Sequence, residues 1–305
     1  MVDYDVPGFP PDRKTHTGRH RPCRDMKTKL LSLRVFDTNV SILTDPQTEQ
    51  LLRRNFGFLA ANVETFDLEF TVQADSTRET FSVTRRDQPP LIADDVADLL
   101  FIVEKDMTIE LQKIRRDLYF LHSAALEFNG KACMIVAPSG SGKSTTTWAL
   151  LHHGFRYLSD ELAPVDLSTM EIEPYPHALN LKSDPPPPYP LPESTLRTPG
   201  TLHVPVDALP AAAVPHAVPL FAIFFLRYTP DQDRSTILAL NTAEASARLY
   251  ANTLNLLAHP QGGIDAAIAI AKQCRCYSIH SNDLTQTCGL VRRAMDVPDA
   301  KPHRS

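Results

Sequence analysis

Residues 121–165 read LHSAALEFNGKACMIVAPSGSGKSTTTWALLHHGFRYLSDELAPV, and this stretch decides the fold. At its centre, residues 137–145 (APSGSGKST) fit the pattern A/G-x-x-x-x-G-K-S/T, in which small residues let backbone N–H groups surround phosphate oxygens. The apolar segment KACMIVAP predicts a strand before the loop, and a helix is predicted from Lys143 to about His153, where Gly154 ends it. This order of elements indicates an α/β fold with a phosphate site at the helix N-terminus.

Each position of the loop has a physical task. Gly140 and Gly142 permit backbone angles that a Cβ atom would disfavour. Lys143 is placed to reach the β and γ phosphates of ATP, and the Ser144 hydroxyl is placed to ligate Mg²⁺. The first residue, Ala137, stands where the commonest form of the pattern has glycine. The predicted nucleotide-binding residues of the loop are Ala137, Pro138, Ser139, Gly140, Ser141, Gly142, Lys143, Ser144 and Thr145.

Two acidic residues and a histidine flank the loop in the sequence. Asp160 and Glu161 end a predicted strand in the segment RYLSDELAPVDL, so they could lie beside the γ phosphate, one carboxylate holding Mg²⁺ and the other free for proton transfer. Adjacent residues of a strand are expected to point to opposite faces, and the alternative is an exposed acidic pair or a helix cap. His122 falls in the predicted strand YFLHSAALEF, where a lone histidine is also compatible with a structural role in the core.

Bulk composition limits the classes of function. The chain has 305 residues, of which 43% are hydrophobic, enough for a buried core, and its net charge of -5 does not favour nucleic acid as a partner. No apolar run approaches the ~20 residues of a membrane span, and the start MVDYDVPGFPPDRK lacks the pattern of a signal peptide. The five cysteines include no CxxC pair and specify neither a disulfide framework nor a zinc site. The sequence therefore predicts a soluble cytoplasmic protein.

The chain divides into four predicted segments. Residues 1–29 are rich in proline and charge and predict a disordered arm. Residues 30–118 predict a small α+β module, with strands LSLRVF, LEFTVQA and TFSVTR, a helix PQTEQLLRRNFGFL and a linking helix from about Ile92 to Leu118. Residues 119–297 predict the catalytic domain, and residues 298–305 a disordered tail.

Downstream of the acidic pair the pattern alternates between strands and helices. The stretch IEPYPHALNLKSDPPPPYPLPES holds a proline cluster and predicts a long exposed loop. The apolar run PLFAIFFLRY and the segment RCYSIHS predict strands. Helices are predicted near Thr242 to Leu256, Ile264 to Cys274 and Leu284 to Met295.

The order of histidine, small-residue phosphate loop and Arg-x-x-x-Asp-acidic resembles the catalytic core of HPr kinase/phosphorylase, and more closely the bacterial HPr-related kinase A family. The resemblance is strong over residues 119–166 and continues more weakly through PYPHALNLK, FFLRY and RCYSIHSND. It implies an α/β fold with an HPr kinase/PEP carboxykinase-like P-loop core, a mixed sheet with flanking helices, preceded by the small α+β module. It also implies a homo-oligomer.

The resemblance assigns roles to individual residues. It implies that Asp160 is the base that accepts the proton of the acceptor hydroxyl, that Glu161 helps to bind Mg²⁺, and that His122 supports Asp160. Lys182 (HALNLKSD) and Arg227 (FFLRYTP) are similar to basic residues of the family and, as cations, could neutralise charge on the transferred phosphoryl group. Glu161 stands where true HPr kinase has an aspartate, and the family's Glu-x-Arg-Gly-Leu-Gly signature is missing after it. Phosphorylase activity and recognition of HPr are therefore not implied.

The sequence thus predicts an ATP- and Mg²⁺-dependent kinase that transfers the γ-phosphate to a hydroxyl, a serine of a peptide or small protein. The predicted catalytic residues are Asp160, His122, Lys143 and Arg227; the metal ligands are Ser144, Glu161 and Asp160; and Lys182 joins the nucleotide-binding set. The alternatives are a nucleotide-binding accessory or maturation protein with no kinase product, and a small-molecule kinase for a sugar or amino acid. A transport ATPase is disfavoured because the chain holds no LSGGQ-like signature.

Overall fold

The computed structural model describes residues 28–75 and 77–297 of the chain. The predicted disordered tail and all but the last two residues of the predicted arm lie outside the described residues. The described chain is a mixed α/β structure with curled mixed sheets and flanking helices. No helix in these two ranges is both long enough and apolar enough to cross a membrane.

The first part of the chain forms a five-stranded sheet, in the order β1-β2-β3-β4-β5, with two helices. Its strands and helices are β1 Lys29–Val35, β2 Thr38–Thr44, α1 Pro46–Phe56, β3 Leu68–Asp75, β4 Thr80–Arg85, β5 Leu91–Ala93 and α2 Val96–Ile114. The linking helix is shorter than predicted, because Asp95 caps α2 by accepting from the backbone N–H of Asp98, which fixes its start at Val96. Ile92 belongs to a strand instead, and the chain after Ile114 leads into the next strand.

The rest of the chain forms two further sheets and four helices. In chain order these elements are β6 Leu118–Leu121, β7 Ala124–Phe128, β8 Lys131–Val136, α3 Lys143–His152, β9 Arg156–Ser159, β10 Ala163–Asp166, β11 Glu171–Ile172, β12 Leu179–Leu181, β13 Leu196–Arg197, β14 Leu202–Val204, β15 Val218–Tyr228, β16 Thr236–Ala239, α4 Thr242–Ala251, α5 Ile264–Gln273, β17 Arg275–Ser281 and α6 Leu284–Met295. The predicted helices after the acidic pair are all present, although the first is shorter. The proline-rich stretch is less irregular than predicted, since it contributes β12 to a small sheet with β13 and β14.

The long strand β15 organises the large sheet. It pairs in parallel with β8 and with β17, and antiparallel with β11. Because β8, β15 and β17 run in the same direction, the chain segments that follow them lie at one edge of the sheet. Val136 at the end of β8 pairs with Phe225, so the loop after β8 and Arg227 at the end of β15 share this edge.

Two segments that the sequence predicts as continuous strands are each interrupted, and the two interruptions lie opposite each other. YFLHSAALEF divides into β6 and β7 at His122 and Ser123, and RYLSDELAPVDL divides into β9 and β10 at residues 160–162. β7 pairs with β9, whereas β6 pairs with β10. The two segments of the chain therefore pair with each other on both sides of the break, once as β7 with β9 and once as β6 with β10. His122 therefore lies in a break rather than on a strand, as a correction to the prediction, and Asp160 and Glu161 follow the end of β9 in the facing break.

The buried core has three groups of apolar side chains, and one of them spans the predicted boundary at residue 118. This group packs apolar residues of β1 to β5, α1 and α2 together with four buried side chains from later in the chain, which are Leu118, Phe120, Leu162 and Tyr175. A second group surrounds Trp148 on α3, and a third lies behind β8 and β15. Where one domain ends and the next begins stays a prediction.

Candidate functional site

The loop between β8 and α3 has the geometry of an anion cradle. Gly140 and Gly142 have φ angles of 80° and 86°, in the left-handed region that favours glycine. A Cβ atom built on either glycine would meet nothing within 4 Å, so the space over the loop is open. Gly142 is the N-cap of α3 and supplies no side-chain cap, which leaves the first N–H groups of the helix available to an anion.

Lys143, at the first turn of α3, is buried and ion-paired with both acidic residues. Its Nζ donates to Asp160 Oδ1 at 2.8 Å and to Glu161 Oε1 at 2.9 Å. Burial alone would lower the pKa of Lys143, but the two carboxylates outweigh it and the pKa is raised. The amine is therefore held as a cation directly below the loop.

Asp160 is fully buried, and one of its two carboxylate oxygens accepts a hydrogen bond from Lys143. The other oxygen, Oδ2, is buried and has no hydrogen-bond partner among the described residues. A buried carboxylate oxygen without a donor is costly, because it loses its hydration without replacement. Asp160 therefore retains a second, buried acceptor position.

Glu161 connects the acidic pair to His122. Its Oε2 lies 2.7 Å from His122 Nε2, while its other oxygen accepts from Lys143. Burial raises the pKa of Glu161, but the hydrogen bond from His122 and the charge of Lys143 together lower it by more. The pKa therefore lies far below its usual range. The carboxylate is thus strongly stabilised in its ionised form.

The geometry of these residues differs from two expectations, and their roles stay predictions. The acidic side chains were expected on opposite faces of a strand, yet both contact the same Lys143 amine. The reason is the φ angle of 71° at Glu161, which turns the chain out of the strand conformation and brings its side chain round to the side of Asp160. In addition, the described partner of His122 is Glu161, where the resemblance implies Asp160.

The remaining predicted residues are distributed around the loop. Lys182 donates from Nζ to Ser139 Oγ at 3.1 Å, which places this cation on the outer side of the loop. Arg227 is exposed at the end of β15, on the loop's edge of the sheet. Ser144 and Thr145 are partly exposed on the first turn of α3. The roles predicted for these four residues stay predictions.

Glu104 and His177, which the sequence did not predict as site residues, contact the backbone of the acidic pair through His177. His177 Nε2 is 3.2 Å from the Asp160 carbonyl oxygen and 3.3 Å from Glu104 Oε1. The sequence did contain a pattern that points to Glu104. This residue has the same helical spacing as the buried Leu100, Met107 and Leu111 of α2. A charged residue at such a position needs a partner.

The described residues suit a nucleotide and Mg²⁺. The two left-handed glycines leave room for phosphate oxygens that a Cβ atom would fill, and Lys143 lies at the same helix start. The part of the chain that the structure describes holds no group of three or more His, Cys, Asp or Glu side chains able to bind a metal. The donor set predicted here, one hydroxyl and two carboxylates, is of the kind that holds Mg²⁺ together with water and phosphate oxygens.

Comparison with known proteins finds matches among solved structures. No family model matches the chain, and no curated protein matches it. Among solved structures, the chain is similar to the Hpr(Ser) kinase/phosphatase from Coxiella burnetii, with a TM-score of 0.30 and 12% identity over 58% of this chain and 95% of that chain. Membership of the HPr-related kinase A family stays a prediction, and the functional argument rests on the geometry of the site.

Proposed function

We propose that this protein is an ATP- and Mg²⁺-dependent kinase that transfers the γ-phosphate to a hydroxyl group, a serine of a peptide or small protein. The observation that carries the proposal is the 2.8 Å contact between Lys143 Nζ and Asp160 Oδ1 beneath an open loop with two left-handed glycines. In this arrangement, Lys143 would serve as the phosphate-binding cation and the buried Asp160, one hydrogen bond away, as the proton acceptor.

The phosphate groups would be held by the chain itself. The N–H groups of residues 137–145 and the start of α3 would surround the β and γ phosphates, and Lys182 and Arg227 would add positive charge from the outer side. Ser144 and Glu161 would hold Mg²⁺, which supplies charge neutralisation for the phosphates when bound. His122 would keep the Glu161 carboxylate in place through its hydrogen bond.

Nucleotide binding would also prepare the base. In the structure, the Lys143 amine is hydrogen-bonded to Asp160 Oδ1, and Asp160 has no exposed surface. A phosphate above the loop would compete for this amine, and movement of Lys143 toward the phosphate would free Asp160 Oδ1 from this hydrogen bond. Asp160 would then accept the proton of the acceptor hydroxyl while the nucleotide is bound. The ion pair thus would link activation of the base to occupation of the loop.

The test is a transfer assay with γ-labelled ATP in a cell lysate and with peptides encoded beside the gene. Wild-type protein should label a peptide or protein, and Asp160→Asn should reduce labelling at least ~100-fold while binding ATP as before, because proton acceptance contributes on the order of 10² or more. Asp207→Asn, at an exposed carboxylate remote in the sequence from the loop, is the matched control and should behave as wild type.

Three outcomes separate this proposal from its rivals. A labelled metabolite in place of a labelled protein would indicate a sugar or amino-acid kinase. ATP binding with slow turnover and no labelled product would indicate a nucleotide-dependent accessory protein. Full labelling by Asp160→Asn would remove Asp160 as the base and with it the mechanism proposed here.

A further inference from the structure

A buried glutamate and histidine join α2 to the back of the acidic pair. Glu104 lies on α2 with 15% of its side chain exposed, and His177 is fully buried in the segment before β12. The imidazole packs near the rings of Tyr175 and Phe56, with ring centroids at 4.8 Å and 6.4 Å. His177 therefore has little freedom to rotate away from its polar contacts.

One nitrogen of His177 faces two oxygen atoms. Nε2 is hydrogen-bonded to the Asp160 carbonyl oxygen at 3.2 Å and lies 3.3 Å from Glu104 Oε1, whereas Nδ1 is buried without a partner among the described residues. The carbonyl can only accept, so Nε2 carries the proton and donates it to Asp160. The Glu104 carboxylate favours this tautomer, because the other tautomer would aim a nitrogen lone pair at its oxygen.

The orientation of the Asp160 carbonyl affects the positions of both acidic side chains. It belongs to the peptide that joins Asp160 to Glu161, and Glu161 follows with the left-handed φ of 71°. A residue with a Cβ atom in this conformation costs free energy that surrounding contacts must offset. A donor fixed on the carbonyl keeps the peptide plane in one orientation and so keeps the two carboxylates aimed at Lys143 and His122.

We infer that Glu104 and His177 are positioning residues of the phosphotransfer site, and that they act by fixing the peptide between Asp160 and Glu161. The inference rests on the proposed function and deepens it. It assigns part of the catalytic geometry to the N-terminal α2, which carries none of the loop or acidic residues. Neither residue touches the reacting atoms, so the effect passes through the position of the two carboxylates.

The surroundings of Glu104 disfavour its negative charge, which agrees with a role that depends on its oxygen atom rather than on its charge. Burial raises the pKa of Glu104, His177 lowers it, and the negative charges of Glu161 and Asp160 raise it further, so that the pKa lies above its usual value. A neutral amide at this position keeps an acceptor oxygen for His177. Glu104→Gln is therefore the conservative variant and should preserve the geometry.

The kinetic test compares Glu104→Leu, Glu104→Gln, His177→Leu and Glu110→Leu. We expect Glu104→Leu and His177→Leu to lower kcat roughly 10- to 100-fold with KM for ATP within about twofold, because small displacements of catalytic groups have effects of this size. Glu104→Gln should restore kcat to within about threefold of wild type. Glu110, on the same helix with 14% of its side chain exposed and paired to Arg85 at 3.1 Å, is the matched control. Glu110→Leu should lower stability without changing kcat.

A structural readout separates this inference from the proposed function. In a crystal structure of Glu104→Leu, we expect the peptide between Asp160 and Glu161 to rotate and the 2.7 Å contact between His122 and Glu161 to lengthen beyond hydrogen-bond distance. If the wild type proves to have no transferase activity, this readout still decides the inference. An unchanged peptide in Glu104→Leu, or kinetics like those of Glu110→Leu, would overturn it.

Discussion

At the scale of single residues, Glu161 joins Lys143 to His122. It accepts from Lys143 and contacts His122, and its backbone adopts a conformation that glutamate rarely takes. Three contacts offset the free-energy cost of this conformation: those of the side chain with Lys143 and His122, and the hydrogen bond from His177 to the preceding carbonyl. A left-handed glutamate here is what allows two consecutive carboxylates to face one amine.

The pKa of Glu161 predicts a pH dependence of stability. The pKa in the folded chain lies well below the usual 4.5, so the ionised form stabilises the fold above pH 4.5 and this contribution is lost as the pH falls below it. We expect Glu161→Gln to be less stable than wild type at pH 7 and the difference to shrink toward pH 3. Urea denaturation at several pH values measures this, and a difference independent of pH would contradict it.

At the scale of elements, the loop and α3 match their prediction because their sequence signals are local. The glycines specify the turn, and α3 runs from Lys143 to His152 with Gly154 in the left-handed conformation just after it. The breaks in the two predicted strands were not predictable in this way. They arise because β6 and β7 pair with different partners, which depends on residues distant in the sequence.

Gly142 tests the loop as an element. We expect Gly142→Ala to cost about 1–2 kcal/mol, since φ is 86° there, and to weaken ATP binding roughly tenfold because the methyl group enters the open space over the loop. Gly200→Ala is the control, as a Cβ atom there also meets nothing within 4 Å but the φ angle is not left-handed. Thermal unfolding and a fluorescent ATP analogue give the two measurements. Equal effects of the two variants would argue against an anion cradle.

At the scale of the whole molecule, the N-terminal sheet and the candidate site share a core. The buried Phe120 and Tyr175 pack among apolar residues of β1 to β5 and α2, and Glu104 of the same helix reaches His177. The residues that hold the acidic pair in place therefore come from both sides of residue 118. Correct geometry at the site requires that both parts of the chain be folded.

This shared core predicts the behaviour of a fragment. A chain of residues 118–297 would expose Leu118, Phe120, Leu162 and Tyr175, and a fully buried side chain of this size contributes on the order of 1.5–3 kcal/mol. We expect the fragment to aggregate, and the full chain to unfold in one cooperative transition. Calorimetry and size-exclusion chromatography provide the test. A monomeric fragment with its own sharp unfolding transition would show that the core is not shared in the way described here.

The sequence by itself determined the loop, the helix that follows it and the identity of the charged residues around it, because glycine conformations, helix ends and apolar periodicity act over a few neighbouring residues. Only the tertiary structure decided how those charges meet. That Lys143 contacts both carboxylates, that His122 contacts Glu161, and that α2 supplies Glu104 all follow from strand pairing and packing between distant segments. Such contacts depend on the relative positions of whole elements, and no local pattern in the chain encodes them.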